Sequence, residues 1–183
     1  MRMRTDLSAI LVVDVEATCW ETKSPPDGQT SEIIQIGLCE LSVEKQAILS
    51  TLDLIVKPEK SSVSEYCTKL TGLTQERVDK GITYAEASEI IRKYSSKKRT
   101  WASFGDYDRY MFEKMSKEFN VLYPFGSKHI NVKNLLALKH KLPREVGMPG
   151  ALDKLKLKLV GRHHNGADDA KNIAEILMRV LWG

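Results

Sequence analysis

The chain has no stretch approaching the roughly 20 consecutive apolar residues that a membrane-spanning helix needs, so no membrane partner is expected. Cysteine is scarce. The three present, Cys19, Cys39 and Cys67, are odd in number, widely spaced and in no zinc-binding pattern, which argues against a disulfide framework and for a reduced, cytoplasmic protein. The opening MRMRTDLSAI lacks the long apolar core and cleavage site of a signal peptide. Internal repeats, low-complexity tracts and interdomain linkers are also missing, so residues 1–183 are expected to form a single domain with length enough for a proper core. A large charge imbalance is absent too. The formal net charge of +4 fits a phosphate-bearing ligand without demonstrating one. The basic runs Lys97-Lys98-Arg99 and Lys154, Lys156, Lys158 read as solvated faces.

What is present begins with LVVDVEATCW, residues 11–20, a run apolar enough to be a buried strand yet carrying Asp14 and Glu16 two residues apart. The turn-rich ETKSPPDGQTS follows, then EIIQIGLCELSV and AILSTLDLIVKP read as two more strands of a meander joined by the short VEKQ. Residues 63–80 mix short helical turns with loops around Leu70-Thr71-Gly72-Leu73, where Gly72 supplies a turn and Tyr66 and Cys67 are expected in or near the core. The spacing predicts an amphipathic helix over residues 84–94 with Ala87, Ile90 and Ile91 inward. RTWASF reads as a strand entering a helix, GDYDRYMFEKMSKEF. INVKNLLALKHKL, ALDKLKLKL and GADDAKNIAEILMRVLW read as further helices. Strands first, then helices around one more strand, point to a mixed-sheet α/β domain.

On a strand, residues two apart face the same side, so Asp14 and Glu16 converge unless the strand ends at Asp14 and leaves Glu16 in a solvated loop. Helical spacing adds two more acids. Asp108 shares a stripe with Met111, Phe112, Met115 and Phe119, whereas Asp106 falls in line with Arg109 and Tyr110 and reads as an N-cap. Asp169 lines up with Ile173, Ile176 and Val180, whereas Asp168 shares a solvent face with Lys171, Asn172, Glu175 and Arg179. First-turn acids also favour a helix's positive end, which explains their position along the helix but not their inward face. Four inward acids repel one another unless cations lie between them, and carboxylate oxygens suit hard ions such as Mg²⁺ or Mn²⁺. Two such ions suit phosphoryl chemistry, and His163 or His164, on the loop before the last helix, offers a base for an attacking water.

The motifs VVDVEATC, WASFGDYDRYMF and HHNGADDAKNIAEIL together resemble the DEDDh family of 3′→5′ exonucleases within the RNase H-like superfamily. EATCWE, EIIQIG and YCTKLTGLTQERVD add a resemblance to its enhanced-RNAi branch, which includes histone-mRNA-type and KapD-like exonucleases. The likeness runs from about Leu7 to Trp182. Phe104 departs from it, standing where many relatives carry tryptophan. The resemblance implies an RNase H-like mixed five-stranded sheet flanked by helices, forming one exonuclease domain. It implies that Asp14, Glu16, Asp108 and Asp169 hold two Mg²⁺ or Mn²⁺ ions, and that His164 removes the proton of the attacking water. The expected partner is single-stranded RNA or DNA with a free 3′ end, shortened to nucleoside 5′-monophosphates. By the same likeness, backbone near Ala17 and Thr18 would hold the terminal 3′-OH, and Trp20 would stack on a terminal base. Two rival readings are a catalytically silent nucleic-acid-binding adaptor and a polymerase-associated proofreading subunit. An adaptor would be expected to lack an acid or the histidine, and none is missing.

Overall fold

The computed structural model describes residues 6–22 and 24–183; the first five residues of the opening segment lie outside them. Five strands form: β1 (Asp6–Ala17), β2 (Ile33–Ser42), β3 (Ala47–Ile55), β4 (Arg99–Ser103) and β5 (His129–Asn131). They order as β3-β2-β1-β4-β5 in one sheet. β1 pairs antiparallel with β2, and β2 antiparallel with β3, which is the expected meander. β4 and β5 run parallel to β1, giving the mixed sheet of an RNase H-like fold. The helices are α1 (Glu65–Thr71), α2 (Gln75–Asp79), α3 (Tyr84–Lys93), α4 (Tyr107–Glu118), α5 (Val132–Lys139), α6 (Met148–Lys154) and α7 (Gly166–Trp182).

The central place of β1 explains its near-continuous apolar run, because both of its faces are covered. Leu11, Val13, Val15 and Ala17 pack with Tyr84 and Ile91 of α3 and with Met111, Phe112 and Met115 of α4. Ile10 and Val12 join Leu136 of α5, Leu152 of α6 and Ile173 and Leu177 of α7. Side chains alternate along a strand, so Asp14 and Glu16 continue this second face, beneath the start of α7. The strand does not end at Asp14: pairing with β2 runs on through Glu16 opposite Gln35.

How close α7 sits to the sheet is set by two glycines. A Cβ built on Gly37 would lie 1.9 Å from the Gly166 carbonyl oxygen, so only glycine admits the first turn of α7 at this point. Gln35, two residues earlier on β2, accepts a 3.0 Å hydrogen bond from the Gly166 N–H, and its own amide donates to Asp53 at 2.8 Å. Since Gly37 pairs with Asp14 across the sheet, this contact places the first turn of α7 over the β1 acids.

Several elements differ from the sequence reading. The first residues of INVKNLLALKHKL belong to β5, a three-residue strand beside β4, and the helix begins only at Val132. α6 starts at Met148, with proline in its first turn, and ends at Lys154; Lys156 and Lys158 stand exposed on the coil beyond it. On α3, Tyr84, Ala87, Ser88 and Ile91 are buried and Ile90 lies at the edge. Tyr66 is exposed while Cys67 is fully buried. Arg99 is no solvated residue, since its guanidinium pairs with both Asp6 and Glu40. Asn172 is buried as well: it bonds both backbone groups of Val160 and so ties the segment before α7 to the helix. Asp106 occupies the N-cap position of α4, but its carboxylate takes Asn131 Nδ2 rather than a helix N–H.

Gly37→Ala should lower stability by about 1–3 kcal/mol, the usual cost of forcing a methyl into a filled contact. Gly150→Ala on α6, where an added Cβ meets only Val146 at 3.5 Å, should not. Equal melting temperatures for the two variants would contradict the role given to the Gly37–Gly166 contact.

Candidate active site

Three elements carry the four acids to one place. Asp14 and Glu16 come from the end of β1, Asp108 from the first turn of α4 and Asp169 from the first turn of α7. Glu16, Asp108 and Asp169 are buried, and Asp14 is half-buried at the floor. Carboxylate oxygens of Asp14, Glu16 and Asp169 lie within 4.8 Å of one another. All four acids line a cavity of about 320 Å³, with Phe104, Tyr107, Met148, His163 and His164 completing its walls.

Each acid is held differently. β1 runs past its last pairing with β4, Val12 opposite Ala102, so a strand amide beyond that point needs another acceptor. Asp108 Oδ1 supplies it, accepting the Val15 N–H at 2.9 Å. Asp169 Oδ2 accepts the His164 N–H at 2.9 Å and lies 2.9 Å from His163 Nδ1. Asp169 Oδ1 is buried and has no hydrogen-bond partner. Asp168 faces away from the acids, bonding the Arg162 N–H and the Lys171 ammonium, so the inward member of each aspartate pair is the one the helical stripe indicated.

Like charges in a confined space resist ionisation. Burial, then the charge of Asp169, pushes the Glu16 carboxyl up to about 8. Burial raises Asp108 to about 6 against the opposing pull of the Val15 amide. Asp14 is raised well above the usual carboxylate range by burial and by its three acidic neighbours. His164 is held below the ordinary imidazole value by burial and by His163 beside it. Converging oxygens, raised carboxyls and an unpartnered buried Asp169 oxygen together fit a hard divalent cation. Asp14, Glu16 and Asp169 are the residues that would hold it, with Asp108 at the edge of the same cavity.

The loop carrying the histidines is braced at both ends. The Arg162 guanidinium donates to the Lys69 and Leu70 carbonyls at 3.1 and 3.2 Å, closing the end of α1. It lies over Gly72, whose φ of 77° confirms the turn and whose missing side chain leaves room, since a Cβ there would meet Nη1 at 2.0 Å. Arg162 also favours the ionised form of Glu16. Sequence reasoning missed Gln35, Gly37, Arg162 and Asn172, because their partners lie far along the chain.

The residues expected at the substrate end occupy the strand exit beside these acids. Thr18 is fully buried: its N–H donates to the Glu32 carbonyl at 2.8 Å, and its hydroxyl joins Ser61 to the Glu32 N–H. The Ala17 carbonyl takes the Cys67 thiol at 3.6 Å. Trp20 is half-buried at the start of the following loop.

Comparison with known proteins accords with this geometry. The exonuclease family model of the RNase T type matches residues 11–177. The chain is 32% identical to rat 3′-5′ exoribonuclease 1, over 94% of this chain and 52% of the relative, so it spans about half the length of that protein. Among solved structures, the nuclease domain of 3′hExo, a DEDDh family member bound to rAMP, matches at a TM-score of 0.87 and 30% identity, covering 97% of this chain and 94% of that one. A 3′-exonuclease recognising the 3′ end of histone mRNA stem-loop matches at 0.84 and 28% identity, covering 97% and 64%.

The raised Glu16 carboxyl has a consequence for stability. Between its ordinary value of 4.5 and about 8 the folded chain holds a proton that the unfolded chain has released, so stability falls as pH rises through that window. In EDTA, the urea midpoint should drop between about pH 5 and about pH 8, and drop less in Glu16→Gln. Identical pH slopes for the two proteins would show that Glu16 carries no such proton.

Proposed function

The chain belongs to the RNase T exonuclease family, and from that membership we propose that it is a metal-dependent 3′→5′ exonuclease releasing nucleoside 5′-monophosphates from single-stranded RNA, with DNA as the alternative polymer. The observation that carries this reading is the convergence of Asp14, Glu16 and Asp169, one oxygen left without a partner, in a cavity walled by His164. RNA is favoured because the rat relative is an exoribonuclease and the 3′hExo nuclease domain was solved with rAMP.

Asp14, Glu16, Asp108 and Asp169 are the ligands we assign to two ions, Mg²⁺ or Mn²⁺. When bound, such a pair supplies positive charge at the attacking and leaving oxygens of the displaced phosphodiester. His164 is the general base. Its lowered proton affinity keeps the imidazole neutral near neutral pH, so a ring nitrogen is free to take the proton of the attacking water. The Asp169 carboxylate accepts the His164 N–H and so fixes the backbone from which that ring projects.

The 3′ end is assigned to the exit of β1. There the Ala17–Thr18 backbone would meet the terminal 3′-OH, and Trp20 would offer a stacking surface for the terminal base. Because the Thr18 N–H and hydroxyl already serve the fold, this assignment rests chiefly on Ala17 and Trp20. A rear wall that admits one terminus would explain digestion from the 3′ end. We take the chain as one exonuclease domain and assign it to the cytoplasm, a reading supported by three unpaired thiols. No helix among the described residues is long and apolar enough to cross a membrane.

Asp108→Asn should abolish release of nucleoside 5′-monophosphate, followed by chromatography, while the metal-free variant melts no lower than the wild type. The amide oxygen still accepts the Val15 N–H, and one repelling charge is gone. Wild-type turnover in this variant would show the ligand set to be misassigned. His164→Ala should cost roughly 10²–10⁴-fold in turnover, the usual worth of a general base, and His163→Ala far less. Equal losses would remove the distinction between the two histidines.

A further inference from the structure

Between α6 and the histidine loop the chain makes an excursion whose two ends both border the cavity. Met148, the first residue of α6, and His163 each line it. α6 has seven residues and so carries the chain roughly 10 Å before it turns back. Around that turn stand Lys154, Lys156 and Lys158, all exposed, while Leu155 and Leu157 between them pack on the core. The returning coil is pinned, because the Asn172 amide bonds both backbone groups of Val160. The three lysines therefore project from a fixed support.

Their charge is not balanced within the protein. Among the described residues none of the three ammonium groups forms an ion pair, whereas Lys133 and Lys171 pair with Glu145 and Asp168, each at 3.3 Å. A lone solvated lysine asks for no ligand. Here the positive charge is concentrated, unpaired and continuous with the wall of a site read as holding a phosphodiester chain. Leu159 and Val160 follow directly and are 47% and 48% exposed. A single strand, unlike a duplex, has base faces free to cover such apolar surface.

We propose that Lys154, Lys156 and Lys158 form a track for the phosphates of single-stranded RNA on the 5′ side of the nucleotide held in the cavity. The direction of the strand rests on the exonuclease reading, which places the 3′ end at the acids. The contact itself is electrostatic, so it adds affinity without reading sequence and weakens as salt rises.

The turn offers a way to remove charge without loss of fold. The Lys156 N–H donates to the Asp153 carbonyl at 3.0 Å and the Leu157 N–H to the Leu152 carbonyl at 2.9 Å, a Schellman ending whose left-handed residue is Lys156, φ 55°. Glycine takes that conformation without strain, so Lys156→Gly should melt no lower than the wild type.

The test is binding of labelled single-stranded RNA to the full chain in EDTA, where no hydrolysis intervenes, followed by fluorescence anisotropy from about 50 to about 200 mM salt. The double variant Lys156→Gly, Lys158→Gln should bind roughly tenfold or more weakly at about 0.1 M salt, and its log–log salt slope should be shallower by about 1.4, at about 0.7 per phosphate. Lys45→Gln, Lys98→Gln removes the same charge from the β2–β3 turn and the start of β4, at the end of the sheet opposite the acids, and should keep the wild-type slope. Melting curves of all variants report their folding. A wild-type slope in the folded coil variant would overturn the track. So would an equal loss in the Lys45, Lys98 variant, which would make the effect one of net charge, or a wild type that binds no RNA. RNA binding with the expected slopes but no hydrolysis in Mg²⁺ would instead contradict the exonuclease reading and leave the track standing.

Discussion

Mutual repulsion among four carboxylates at the end of one central strand is the constraint around which this molecule is organised. Left to themselves, buried acids this close would stay protonated or push apart. The raised Glu16, Asp108 and Asp14 carboxyls show the first tendency. The scaffold prevents the second. α4 cannot retreat, because Asp108 completes the hydrogen bonding of β1 through the Val15 amide. α7 cannot retreat, because its first turn is seated on Gly37 and bonded to Gln35.

Such a site gives up stability in the metal-free state for readiness to bind cations. Asp169 shows the division of labour within one side chain. Its Oδ2 is engaged by the histidine loop, and its Oδ1 is buried without a partner. A buried oxygen of this kind is costly unless something is meant to reach it. The hydrophobic clusters on both faces of the sheet supply the stability against which that cost is set.

Much of this was legible in the sequence, for physical reasons that can be named. Asp14 and Glu16 were legible because a strand alternates with period two, and Asp108 and Asp169 because each sits on an apolar stripe that a helix must bury. All four were brought to one cavity as expected. What escaped depended on distant partners. β5 is three residues long and runs straight into α5, so only its pairing with β4 makes it a strand. Arg99 follows two lysines and reads as solvated until Asp6 of the adjacent β1 and Glu40 of β2, one strand further on, are brought to it by the sheet. Asn172 keeps the spacing of a solvent face, yet it is buried because the chain before α7 folds back over it. ALDKLKLKL reads as a helix over residues 151–159, whereas Pro149 in the first turn marks the true beginning of α6 at Met148 and the helix stops at Lys154.

The central claim is that this acidic floor, charged with divalent ions, removes nucleotides one at a time from a 3′ end. It is tested most directly by incubating the protein with 5′-labelled single-stranded RNA and DNA of one sequence, in Mg²⁺, Mn²⁺ or EDTA, beside an Asp14→Ala control. The account predicts a ladder that shortens from the 3′ end with either metal, fails in EDTA and is absent in the control, with RNA degraded faster than DNA. Retained binding with no ladder on either polymer, or a ladder that persists in Asp14→Ala, would contradict it.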